Sequence, residues 1–197
     1  MFQETLESGV RPPGYPRELE KLVRLKDGRS VTVRPLAPAD APPLERALAE
    51  VDSETLYQRF FTRRPRLDAQ QIAHLTELDY QSRLALVAVR GGHLAGIVRY
   101  EGEPESVTAE VGLVVAHEWR NAGLASAMLR ELEKAALARG IFRFEAYYLE
   151  HNPAIATLLA RFGYAPPRIL SGVAETCKDL LPTTSPTPAG DLASPVA

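Results

Sequence analysis

The residues most suited to chemistry lie between Glu110 and Ser126, in the stretch EVGLVVAHEWRNAGLAS. An apolar run ends at Val115, a short loop turns, and a helical pattern opens at Arg120-Asn-Ala-Gly123-Leu-Ala125. The first N–H groups of a helix have no carbonyl partners, and the helix dipole favours negative charge beside them. Small residues at Ala122, Gly123 and Ala125 let a ligand come close to that backbone. This combination suits a phosphate or diphosphate. It is not a P-loop, because no Gly-Lys-Ser/Thr follows, and no G-x-G-x-x-G follows a strand. On spacing alone, Arg120 is equally a solvated surface arginine and Gly123 a packing glycine. The four histidines, His74, His93, His117 and His151, show no metal-ligand spacing, so no metal is expected. Cys177 has no visible base beside it and reads as a packed strand residue.

The elements that must position this loop follow from periodicity. Leu22–Leu25 and Val31–Arg34 flank Lys26-Asp27-Gly28-Arg29, an Asp-Gly hairpin signal. Ala39-Asp40 leads into a helix with Leu44, Leu48 and Val51 on one face. A second short helix is predicted over 53–60 with Ser53 as its cap, and a third from about Asp68. Leu84–Val89 is the continuous apolar run of a strand covered on both faces. A Gly91-Gly92 turn, a strand over 93–100 and another over 107–115 follow. The helix over 122–139 carries Leu124, Met128, Leu132, Ala135 and Ala136 on one face, with Gly140 as its cap. A strand over 142–149 precedes Asn152-Pro153, a cap and first-turn pair opening a helix that Gly163 ends. A last strand is predicted over 173–177. The order β-β-α-α-α-β-β-β-α-β-α-β gives a mixed α/β fold with helices on the sheet faces.

Composition narrows the function. At 197 residues the chain fits one domain. A net charge of −2 gives no support to nucleic-acid binding. One cysteine excludes an intramolecular disulfide, and no apolar run reaches a membrane span. The start lacks the pattern of a signal peptide, so a cytoplasmic protein is expected. Prolines gather near both ends, and the segment LPTTSPTPAGDLASPVA has too little apolar surface to offset its ordering entropy. The expected organisation is an N-terminal extension over 1–18, a catalytic domain over 19–180 and a disordered Pro/Ser/Thr-rich tail over 181–197. That leaves no room for a second module, so a stand-alone domain is expected.

Two motifs together resemble the GNAT family of N-acetyltransferases. Arg120, Gly123 and Ala125 fill the [Gln/Arg]-x-x-Gly-x-[Gly/Ala] motif that follows a strand and opens a helix. Asn152 to Gly163-Tyr164 matches the family's Asn-led helix ending in Gly-aromatic. The likeness covers about 22–177. A finer similarity is to the acetyltransferase domain of bacterial Pat-type protein lysine acetyltransferases. It rests on Ser53–Phe61 (SETLYQRFF), with Tyr57 and Arg59, and on Ala109-Glu110-Val111.

The resemblance implies the GNAT fold: a central mixed, mostly antiparallel twisted sheet, splayed at the cofactor site. It implies acetyl-CoA as acyl donor and a primary amine as acceptor, either a protein lysine or a small molecule. The diphosphate would lie on Arg120, Asn121, Ala122, Gly123, Leu124, Ala125 and Ser126. Pantetheine would run along Leu113, Val114 and Val115, with Asn152 as a further contact. Tyr57 and Arg59 would line the acceptor side. A homodimer remains open. An amine of pKa ~10.4 must lose a proton before it attacks. Glu110 is the expected general base; Glu101, Glu103 and Glu145 stand behind it. The structural alternative for Glu110 is a cross-strand ion pair with a residue such as Arg99.

Two departures stand out. Many relatives place a leaving-group tyrosine where this chain has Leu159, and Tyr147 and Tyr148 are the nearby substitutes. Relatives often carry Arg or Lys where this chain has Ala122. Leu159 leaves open a weak or inactive acyl-CoA-binding regulatory module.

Overall fold

The structure, a computed structural model, describes residues 11–50 and 68–181. The helix expected over 53–60, with Tyr57 and Arg59, lies outside the described residues. The strands are β1 (Lys21–Arg24), β2 (Ser30–Pro35), β3 (Arg83–Arg90), β4 (His93–Glu101), β5 (Thr108–Val115), β6 (Arg143–Leu149), β7 (Arg168–Leu170) and β8 (Val173–Asp179). The helices among these residues are α1 (Ala41–Glu50), α2 (Ala69–Thr76), α3 (Leu124–Leu137) and α4 (Pro153–Arg161). The strands form one eight-stranded sheet in the order β1-β2-β3-β4-β5-β6-β8-β7. Every neighbouring pair is antiparallel except β5 with β6.

The expected hairpin closes with Arg24 opposite Ser30. The apolar run on β3 is buried from Leu84 to Val89, as a strand covered on both faces requires. One face of the sheet packs on α3 and α4 through Leu124, Met128, Leu132, Ala136, Phe144 and Leu159. The other packs Leu36, Leu44, Ala85, Val87 and Val89 with α1 and α2. The burial of Leu124, Met128, Leu132, Ala135 and Ala136 follows the stripe read from their spacing. Gly96 allows α3 to lie close: a Cβ there would stand 3.4 Å from both Leu124 Cδ2 and Met128 Sδ.

Three local differences have physical causes. The helix expected from Ala122 begins at Leu124, because Asn121 (φ +61°) and Gly123 (φ +86°) are left-handed. Strand β7 is absent from the sequence reading; all three of its residues are exposed, so no burial alternation marks it. Asp40 does not cap α1 in solvent. It is buried, and its carboxylate takes both Nη1 (2.8 Å) and Nη2 (2.7 Å) of Arg34 and the Ala37 N–H (2.8 Å). This fork fixes the chain as it leaves β2.

Removing the carboxylate of a buried ion pair takes its two-pronged, charge-assisted contact from the guanidinium. Asp40→Ala should therefore lower the unfolding free energy by about 3–5 kcal/mol. The check is a urea melt: the midpoint falls at constant slope. A loss below about 1 kcal/mol would mean that water reaches Arg34 and replaces the pair.

Candidate active site

Strands β5 and β6 pair for only three residues, Thr108–Glu110 against Arg143–Glu145. Beyond that point β5 is paired with β4 alone, through Val111 to Val115. Two bonds set the direction of its backbone groups. Arg143 N–H donates to Val107 O (3.0 Å), and Ala116 N–H donates to Ala95 O. Antiparallel ladders alternate, so Val114 and Gly112 bond toward β4, while Leu113 and Val115 turn theirs to the open side. Of the three residues expected to carry pantetheine, Leu113 and Val115 thus offer free backbone. Val114 does not, because its N–H and C=O belong to the β4 ladder opposite Ile97.

The open end of β5 runs into the loop. A 3-10 turn at His117–Trp119 drops Trp119 into the core, where it is buried. Arg120 is exposed and lies 3.5 Å (Nη1) from His117 Nδ1. Asn121 is exposed and Ala122 buried. Gly123 is the N-cap of α3 and offers no side-chain acceptor, so the helix's first N–H groups are left to an external partner. The first backbone bond of the helix is Ala127 N–H to Gly123 O, 3.0 Å. Leu124, Ala125 and Ser126 precede it, with outward N–H groups that no i−4 carbonyl can reach. The loop and the open edge of β5 thus form one continuous strip of available donors and acceptors.

The β1–β2 tip holds this loop, which no sequence signal indicated. Lys26 N–H donates to Ala122 O (3.1 Å), and Arg29 Nη1 donates to Glu118 O (3.1 Å). The Arg29 guanidinium lies 4.1 Å from the centre of the Trp119 ring. On the far side of the gap, Asn152 is buried and caps α4, accepting from Ile155 N–H at 3.2 Å. Leu159 is core, and so is Tyr148.

Glu110 stands on the opposite sheet face, in a cleft of about 640 Å³ shared with Arg99, Glu101, Glu103, Gly112 and Glu145. It faces Glu101 across the ladder, and Arg99 is opposite Gly112. Arg99 pairs with Glu101, not with Glu110. Glu101 is also 2.8 Å from His74 Nε2 and 3.5 Å from Arg83 Nε. Glu110 is exposed and makes no ion pair among the described residues. Tyr147 lies on the same face as Glu145, its hydroxyl donating to Glu145 Oε2 at 3.3 Å. Partial burial, then the neighbouring Glu145, Glu175 and Glu110 charges, push its phenol up and keep it protonated. No group of three or more His, Cys, Asp or Glu gathers for a metal among the described residues. No helix among them is long and apolar enough to cross a membrane.

A parallel strand pair that parts beside a glycine-opened helix is what the resemblance implied, and the comparisons agree. Residues 47–164 match the family model for the acetyltransferase (GNAT) family. The chain belongs to the GNAT family. It is 30% identical over 163 residues to acetyltransferase Pat of Mycolicibacterium smegmatis, covering 81% of this chain and 49% of that protein. The chain thus spans about half the length of that relative. The GNAT domain of S. lividans Pat superposes with a TM-score of 0.79 at 33% identity, covering 84% of this chain and 99% of that one. The protein yncA of Salmonella typhimurium, solved with its cofactor acetyl-CoA, shares the fold (TM-score 0.62, 18% identity, 80% of this chain and 98% of that one).

Trp119 is the single tryptophan, so its fluorescence reports the loop of this GNAT domain directly. Arg29→Ala uncovers the ring and removes a stacking contact worth about 0.5–1 kcal/mol. Emission should shift to the red and acrylamide quenching should rise. Unchanged quenching would show that the β1–β2 tip does not hold the loop.

Proposed function

We propose that this chain transfers the acetyl group of acetyl-CoA to a primary amine, a protein lysine side chain, by direct attack in a ternary complex. The catalytic domain spans about 19–180. The observation that carries the reading is the continuous strip from the open edge of Leu113 and Val115 to the unbonded N–H groups ahead of Ala127. Its length and polarity suit the amides of a pantetheine arm ending in a diphosphate. Arg120 and Asn121 to Ser126 receive the diphosphate. Asn152 faces the arm from α4. An N–H on the open edge of β5 donates to the thioester oxygen and stabilises the negative charge that develops there.

The acceptor enters the cleft on the Glu110 face. Five carboxylates (Asp79, Glu101, Glu103, Glu110 and Glu145) and two guanidiniums (Arg83 and Arg99) line it, so an ammonium is electrostatically favoured. Arg83 and Arg99 pair with Glu101, and Glu110, on the strand that carries the open edge, is the proposed acceptor for the ammonium proton. The free amine nitrogen attacks the thioester carbon and forms the C–N bond. Glu110 holds the proton, directly or through a water. The tetrahedral intermediate then loses its second nitrogen proton to water, breaks its C–S bond and releases the amide and the thiolate. A thiol has a pKa near ~8.5, so the thiolate leaves with little assistance. Tyr147, held protonated, is the phenol on the cleft face that can return a proton to it. Leu159 and Tyr148 are in the core and take no part in that step.

Glu110→Gln tests the base. At neutral pH the rate constant should fall roughly 10²–10⁴-fold with little change in the KM for acetyl-CoA. The loss should shrink as pH rises toward the ~10.4 of the amine, where free amine no longer depends on the enzyme. An unchanged rate and pH profile would remove Glu110 from the mechanism. Lysine peptides and small amines assayed side by side decide the acceptor: turnover confined to small amines refutes the protein-lysine reading.

A further inference from the structure

Position 122 of the diphosphate loop is alanine, and it is buried. The β1–β2 tip binds the loop through Lys26 N–H to Ala122 O, and this sets the Lys26 side chain across Gly123. A Cβ on Gly123 would stand 3.2 Å from Lys26 Cγ, 3.3 Å from Cδ and 3.5 Å from Cε. The aliphatic stem therefore occupies the space that only a glycine leaves open. The ammonium is one bond past Cε, and Cε lies 3.5 Å from where a Cβ of Gly123, the N-cap of α3, would stand.

The neighbouring charges of the tip are committed. Asp27 pairs with Arg29 at 2.6 Å, and Arg29 also reaches Glu118 O and covers Trp119. Lys26 has no carboxylate partner among the described residues; the lysine pairs there belong to Lys21, Lys134 and Lys178. An unneutralised ammonium beside outward N–H groups and a helix dipole repels cations and attracts a dianion.

We propose that Lys26 is a ligand of the acetyl-CoA diphosphate, delivered by the β1–β2 tip alongside Arg120 of the loop itself. The assignment rests on the reading of this loop as the acetyl-CoA site. Gly123 then serves twice: its left-handed backbone starts α3 late, and its bare Cα gives the lysine stem a track. The hairpin is part of the substrate site, although it lies far from the motif in sequence.

The test uses Lys26→Met, which keeps a stem over Gly123 and removes the charge, with Lys26→Gln as a second neutral variant. Three donors separate the phosphates: acetyl-CoA, its 3′-dephospho form and S-acetylpantetheine. The neutral variants should raise the KM for acetyl-CoA and for the 3′-dephospho donor roughly tenfold, the size of a lost charge-assisted contact, with kcat within about twofold. S-acetylpantetheine, which has no diphosphate, should show the same kcat/KM with wild type and variants. Lys26→Arg should recover most of the affinity. A KM for acetyl-CoA within twofold of wild type overturns the proposal. So does a loss that vanishes with the 3′-dephospho donor, which would move Lys26 to the 3′-phosphate, or one that persists with S-acetylpantetheine. Direct titration of wild type with CoA separates the two levels: no binding there overturns the acetyl-CoA reading itself, and Lys26 with it.

Discussion

The separation of β5 from β6 is the constraint on which the rest depends. A parallel pair must be joined by a crossover, here α3, and a crossover helix starts where the first strand ends. The C-terminal end of β5 therefore meets the N-terminus of α3 by necessity. Because the strands stay paired only through Glu110 and Glu145, the same end also has free backbone groups on β5. Unpaired backbone groups in a partly enclosed gap are costly, so a polar, extended ligand has something to gain by entering. Helix dipole, open strand edge and narrow gap coincide because they are consequences of one topological choice.

Charge placement on the other face follows a similar logic. Glu101 and Glu110 sit opposite each other on adjacent strands, an unfavourable arrangement if both charges were bare. Arg99, His74 and Arg83 gather on Glu101 and relieve it. Glu110 has no ion-pair partner among the described residues. A carboxylate supported in this way can exchange a proton without breaking a stabilising pair, whereas Asp40, held by Arg34, cannot.

The elements that were legible in the sequence are those whose burial is periodic. The stripe of α3, the apolar run of β3 and the Asn152-Pro153 start of α4 all read correctly, since local spacing dictates which face is covered. The parts that were not legible depend on pairings that hydrophobic spacing does not encode. Arg99 had two carboxylates within reach on the ladder, and only the folded register showed that Glu101 takes it. Asp40 looked like a helix lead, because nothing local reveals that Arg34 folds back over it. The grip of Arg29 on Trp119 joins segments roughly ninety residues apart, and no periodicity records such a contact. Strand β7 pairs its backbone with β8 while all its side chains face solvent, so hydrophobic pattern could not announce it.

The latch between the β1–β2 tip and the loop also orders events during folding. Lys26 and Ala122 are roughly a hundred residues apart, and they meet only across a sheet built from β1 through β5. Closing so long a loop costs chain entropy before any contact repays it. The segment carrying the family motif can form its strand and its helix early, since both are local. Its final shape must wait for the oldest part of the chain to be brought alongside. An N-terminal truncation that spared every motif residue would therefore still leave the loop without its clasp.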